Sequence, residues 1–182
     1  MLNTLPVRDP QQLVLLHWQG ETWPKGLNQS GSDGPHLPSF LVGSRSLPFP
    51  FFRELRKESG VFESVFAFAP LGIGPQSITL VADGAADRID GEMVSGEYFS
   101  GLGTKTAAGR LIGVADERDG AQVAVISYAY WMRRFGGEAG IAGRTVTING
   151  LPFTIIGVTG TSFYGVEPGR APGCRWARRA RV

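Results

Sequence analysis

The chain is poor in the residues that carry most protein chemistry. It has one cysteine, Cys174, which excludes an internal disulfide and leaves the redox compartment undecided. Histidine occurs only at His17, inside an apolar run, and His36, in a polar loop. Neither neighbours a serine in a G-x-S-x-G setting. A nucleophile without a base and an orienting group stays inactive, so Ser/His hydrolysis is excluded. One cysteine and two histidines 19 positions apart match no zinc spacing either. Asp116, Glu117 and Asp119 are oxygen ligands in type, but they lack the longer ordered pattern of a calcium loop and read as a solvated acidic turn.

Charge and long apolar runs are scarce as well. The net charge of +2 is too small to imply a nucleic-acid partner, and much of it sits in Arg175, Arg178, Arg179 and Arg181 at the C-terminus. No run approaches the roughly 18–20 apolar residues of a membrane helix. Pro6, Arg8, Asp9 and Pro10 interrupt the opening before a secretory apolar core could form. Taken literally, these absences describe a soluble cytoplasmic chain. The segment Gly101-Leu-Gly103-Thr-Lys105-Thr106 is no phosphate loop, because Thr104 stands where glycine must precede the lysine. It reads as a helix C-cap. No catalytic, cofactor-binding or metal-binding residues emerge, and no cofactor is implied.

What is present is turn chemistry. Twenty-six glycines and twelve prolines without a period favour a β-rich α+β protein of many short elements. The clearest stretch is Val123–Val158. Val123–Ile126 reads as a buried strand, Ser127 as an N-cap, and Tyr128, Trp131, Met132 and Phe135 as the apolar side of a helix that Gly136-Gly137 ends. Thr145–Ile148 and Phe153–Ile156 then flank Asn149-Gly150, a strong hairpin signal. Trp131, Phe135, Val146, Ile148, Phe153 and either Ile155 or Ile156 are the expected core.

Upstream, Leu13–Trp18 reads as a first strand and residues 19–48 as a long, partly disordered connection. Pro50 opens a helix with Phe51, Phe52 and Leu55 as its stripe and Gly60 as its stop. Val61–Ala69 reads as a strand in its second half. Ser77–Ala82 and Arg88–Val94 read as strands about an Asp83-Gly84 turn. Ser95 is expected to cap a short helix, Gly96–Leu102, with Tyr98, Phe99 and Leu102 on one side and Gly103 closing it. Residues 105–120 read as irregular, with a short extended piece at Arg110–Ile112.

At Val94-Ser-Gly-Glu-Tyr-Phe99 a pattern begins that continues through Leu102-Gly103, Gly109-Arg-Leu111, Val123-Ala-Val-Ile-Ser127, Trp131 and Arg134-Phe-Gly-Gly137 to Gly143-Arg-Thr-Val-Thr-Ile-Asn-Gly150. With Leu5–Pro10, Phe49–Arg56 and Ser162–Pro172, it resembles the MacB-like periplasmic core domain of ABC transporter permeases, in particular the duplicated acidobacterial type. The resemblance covers roughly residues 5–172. It implies a non-enzymatic extracytoplasmic (periplasmic) domain, set between membrane helices and active in efflux or other transmembrane transport. It also implies two lobes: residues 1–90 as an incomplete βαβ-type membrane-proximal half, and 91–165 as an inserted, mostly-β lobe. The implied partners are the parent permease's membrane helices, an ABC ATPase and a periplasmic adaptor protein; the implied role is to couple transporter motion to substrate or partner contacts. Residues 166–182 form a tail. Within it, 173–182 lose the pattern and gain arginine abruptly, so they read as a frameshifted end to a fragment for which Met1 is an internal start. A second reading is a free-standing binding module using Phe49, Phe51, Phe52, Phe62, Phe66 and Phe68 as a groove.

Overall fold

Among the described residues, regular structure is sparse in the first third of the chain. The computed structural model describes residues 7–22, 42–44, 46–58, 60–71, 78–119, 121–166 and 174–177. β1 (Trp18–Gly20) pairs antiparallel with β2 (Val42–Ser44), Trp18 opposite Ser44. The expected strand at Leu13–Trp18 therefore shrinks to its last residue. Strand structure extends only as far as a partner ladder, and Val14 and Leu15 lie beyond it, 69% and 57% exposed. The expected disorder within 19–48 falls mostly outside the described residues. α1 (Phe49–Leu55) starts after Pro48 with Pro50 in its first turn, where the missing N–H breaks no helical bond. It ends before Gly60. Only Phe52 of its phenylalanines is buried; Phe49 and Phe51 stay largely exposed, and the Arg56 guanidinium lies over the Phe52 ring at 5.3 Å. These elements belong to one compact unit, Gln11–Val65.

The other unit, Met1–Pro10 with Phe66–Val182, carries the main sheet. Its elements are β3 (Phe68–Leu71), β4 (Ile78–Ala82), β5 (Ala85–Ile89), β6 (Gly91–Val94), α2 (Tyr98–Gly101), β7 (Thr106–Gly109), α3 (Val114–Asp119), β8 (Val123–Ile126), α4 (Tyr128–Phe135), β9 (Thr145–Ile148), β10 (Leu151–Thr159) and β11 (Cys174–Ala177). The strand order is β3-β6-β11-β8-β10-β9-β4-β5, with β7 on the far end of β10. Most neighbours are antiparallel; β8–β10 and β6–β11 are parallel. Both two-residue turns keep positive φ throughout, 52° and 73° at Asp83-Gly84, 48° and 80° at Asn149-Gly150. That is the backbone twist a tight hairpin requires, and Asn, Asp and Gly adopt it with least strain.

β10 is the strand on which the sheet turns. Its first half pairs with β9, its middle with β8 and its last residues with β7, with register shifts on either side of Gly157. Two glycines permit the crossing with β7. A Cβ on Gly157 would sit 2.1 Å from the Arg110 carbonyl oxygen, and one on Gly109 would sit 2.2 Å from the Ile156 carbonyl oxygen.

Several expectations need correction here. The main sheet runs across position 90/91. β3, β4, β5 and β6 lie in the same sheet as everything to β10, because β4 zips onto β9 across more than sixty residues of chain, Leu80 opposite Ile148. The expected strand Arg88–Val94 breaks at Asp90, since Ala85–Ile89 is already committed to β4 by the Asp83-Gly84 turn. Residues 105–120 are not irregular but hold β7 and α3. Cys174–Ala177 is no loose tail: its backbone pairs on one side with β6 and on the other with β8.

The core lies on the sheet face that α4 covers. Ile78, Leu80, Ile126, Val146, Ile148, Phe153, Ile155 and Val158 are buried there, and Ile155 rather than Ile156 is the residue that turns inward. α4 begins at Ser127, whose hydroxyl accepts from the Tyr130 N–H at 3.2 Å, and ends on Gly136 in the left-handed conformation. Tyr128, Trp131 and Phe135 pack on the core as expected, and the helix departs from expectation at two positions. Tyr130 is its buried residue, Trp131 and Phe135 are half-buried, and Met132 is 45% exposed. Arg134, one turn beyond Tyr130, reaches the Asp83-Gly84 turn. Ser127→Ala should lower stability by about 1 kcal/mol through loss of the cap. A urea titration checks this, and an unchanged midpoint would show that the cap is redundant.

Candidate functional site

The side chains with polar work to do gather at three junctions of the sheet-bearing unit. The first clamps the β4–β5 turn. Arg134 donates to the carbonyls of Ala82 at 2.8 Å and Ala85 at 3.3 Å, so a helix side chain closes the hairpin tip. Arg144, just ahead of β9, bonds the Asp83 carboxylate and donates to Glu138 at 2.6 Å. Both guanidinium groups lie over Phe135, at 5.7 Å and 5.1 Å from its centroid. Arg144 thus pairs with both carboxylates while Arg134 holds the turn's carbonyls, with the Phe135 ring as their common floor.

The second junction ties α3 to the turn before α2. Arg110 donates both guanidinium N–H groups to Asp116, each at 2.7 Å, and the Gly113 N–H donates to the same carboxylate at 2.9 Å. Glu117 accepts from the Gly96 N–H at 2.6 Å. Gly96 allows this because its Cα packs against Val114; a Cβ there would be 2.5 Å from the Val114 Cα. The bonds from Arg110, helped by the Gly113 N–H, hold the Asp116 carboxyl below its ordinary value of 3.8 against the opposing effect of burial. A carboxylate whose folded pKa is depressed stabilises fully above its unfolded value and loses that contribution as pH falls through the folded one. Wild-type stability should therefore drop more steeply than that of Asp116→Asn between about pH 4 and lower values. Urea midpoints measured across that range test it; parallel curves would exclude the linkage.

The third junction is apolar with a polar centre. Tyr98 is fully buried and contacts Phe66, Phe68, Phe99 and Phe163 at centroid distances of 5.2 to 6.4 Å. Its hydroxyl donates to the buried Glu92 carboxylate at 3.2 Å. Ser95, expected to cap α2, does not bond that helix through its hydroxyl, which accepts from the Ala67 N–H at 3.0 Å and so anchors the approach to β3.

The residues weighed from the sequence scatter. His17 is exposed beside β1 and His36 lies outside the described residues. Asp116 and Glu117, taken as a solvated turn, instead bond protein groups. Gly103 does close α2, with φ of 62°. The six phenylalanines divide: Phe49, Phe51, Phe52 and Phe62 belong to Gln11–Val65, whereas Phe66 and Phe68 pack on Tyr98. Among the described residues no three His, Cys, Asp or Glu side chains come close enough to hold a metal ion. Sequence reasoning missed Arg134, Arg144 and Asp83 because their contacts span up to 61 positions and leave no periodic trace. Glu92 was visible as a lone carboxylate within the run Gly91–Val94.

An α+β domain built on one large mixed sheet, braced by internal polar contacts, is the class these features define. The family model described as the MacB-like periplasmic core domain matches residues 11–171, and the chain belongs to that family, the periplasmic domain of ABC transporter permeases. No curated protein matches the chain. Among solved structures it is similar to the extracellular domain of the noncanonic ABC-type transporter YknZ from Gram-positive bacteria, with a TM-score of 0.56 and 20% identity over 72% of this chain. It is also similar to the periplasmic region of MacB from Actinobacillus actinomycetemcomitans, with a TM-score of 0.49 and 21% identity over 68% of this chain. The chain spans 62% and 51% of the lengths of those two structures. No helix among the described residues is long and apolar enough to cross a membrane.

Proposed function

We propose that this domain works without catalysis, as a stiff relay on the extracytoplasmic side of an ABC-type permease. It passes motion driven by an ABC ATPase, through the permease's membrane helices, to contacts with substrate or with a periplasmic adaptor. The observation that carries this reading is the continuity of the main sheet. β4 and β9, remote in sequence, are neighbours in one hydrogen-bonded layer, and Arg134 and Arg144 clamp the turn at its end. A layer joined in this way moves as a block, which is what a relay needs. In this reading the sheet-bearing unit from Phe66 onward corresponds to the inserted lobe, and Gln11–Val65 to part of the membrane-proximal one. On this proposal the lobe boundary lies at 65/66.

The test is hydrogen exchange on the parent permease in lipid nanodiscs, with and without ATP. Exchange should change around residues 56–66, between the two units, while β4, β9 and β10 keep their protection. ATP-dependent loosening of the β4–β9 pairing itself would sink the relay account.

A further inference from the structure

The chain's one Asn-Gly pair, Asn149-Gly150, stands at an unusual place. Both residues are exposed, and a Cβ added to Gly150 would meet nothing within 4 Å, so the turn has open space around it. Asn149 also extends the β4–β9 pairing beyond Ile148. Its backbone N–H donates to the Thr79 carbonyl at 2.9 Å, and its side-chain oxygen accepts from the Thr79 N–H at 2.9 Å. Backbone and side chain of one asparagine are therefore both bound to one residue of β4.

We propose that Asn149 is a self-modifying position: a deamidation site that β4 holds back, and whose product releases β4 from the hairpin. In the reaction the Gly150 nitrogen gives up its proton to water or hydroxide and attacks Asn149 Cγ. The new N–Cγ bond closes a five-membered imide and ammonia leaves. Water then opens either imide carbonyl, giving aspartate or isoaspartate, with no redox change. Closing the ring requires Asn149 to rotate about its Cα–Cβ and Cα–C bonds. Rotation about Cα–Cβ breaks the side-chain bond to Thr79, and rotation about Cα–C breaks the turn that sets Ile148 opposite Leu151, so reaction waits for local opening. Aspartate keeps an acceptor oxygen for the Thr79 N–H. Isoaspartate inserts a main-chain carbon after Cα: its free carboxylate hangs directly from Cα, one bond short of the Asn side chain that reached the Thr79 N–H, and the turn into β10 is lengthened.

The experiment incubates the full chain, folded and in urea, at mildly alkaline pH, and quantifies the 149–150 products by peptide mapping. Folded protein should react slower by about tenfold or more, each tenfold corresponding to about 1.4 kcal/mol of opening free energy. Equal rates overturn the restraint. Hydrogen exchange on separated products then reads the release: β4 and β5 amides should lose protection in the isoaspartyl form and keep it in Asn149→Asp. Protection retained in the isoaspartyl form, or lost equally in Asn149→Asp, overturns the release mechanism.

Discussion

Tyr98→Ala is expected to be among the most damaging single side-chain truncations in this domain. Tyr98 has no exposed surface and is the common partner of Phe66, Phe68, Phe99 and Phe163. Truncating a buried aromatic ring removes its transfer free energy and leaves a cavity that the neighbours fill only in part, typically about 3–5 kcal/mol. The ring also shields Glu92, which is fully buried. Tyr98→Phe separates the two effects. It keeps the packing and deletes only the hydroxyl that donates to the Glu92 carboxylate, for about 1–3 kcal/mol. Against a total stability of about 5–15 kcal/mol, the alanine variant should be unfolded or close to it at growth temperature, and the phenylalanine variant folded with a lowered melting midpoint. Thermal melts by circular dichroism decide the matter. If both variants melt together, the hydroxyl rather than the ring holds α2 in place.

Gly157→Ala is the second large effect and works through the backbone. The added methyl would lie 2.1 Å from the Arg110 carbonyl oxygen and 2.8 Å from the Arg110 nitrogen. Neither atom belongs to a flexible side chain, so the strands must separate. Overpacking of this kind costs about 3 kcal/mol or more where the obstacle cannot rotate away. The loss should be local at first, because β10 is held elsewhere by β8 and β9. Hydrogen exchange should therefore show β7 released while β9 and β4 stay protected. Gly143→Ala is the contrasting control. Its φ is 98°, so strain is expected, but an added Cβ meets nothing within 4 Å. If the two alanine variants are equally stable, close approach of β7 is not what requires glycine at 157.

These two sites mark where sequence reading succeeds and where it stops. α4 and the β9–β10 hairpin were legible because every signal within them is local: a capping serine, a left-handed glycine and an Asn-Gly turn act over a few residues. The tie from Arg134 to the β4–β5 turn was not, because its carbonyl partners lie 49 and 52 positions away. The pairing that carries the sheet across 90/91 was hidden for a similar reason. Nothing in Ile78–Ile89 announces that its partner strand begins at Thr145. α3 was hidden by its acidity: Asp116 reads as a turn residue until Arg110 is seen folded back over it.

The order of the strands also sets how the sheet ends. The bonds between Ala67 and Ser95 fix the alternation along β3, and they turn the nitrogen of Pro70 to the open side, where a further strand would look for a donor. At the other end, the pairing with β4 leaves Ala86 and Arg88 as the β5 residues whose backbone groups face outward. A second copy docked there by two-fold symmetry, Ala86 against Arg88, would set Asp87 opposite its own counterpart. Like charges in direct cross-strand contact repel. Both margins of the described sheet thus discourage recruitment of another strand of the same kind. The protein can expose them outside the membrane without seeding its own polymer.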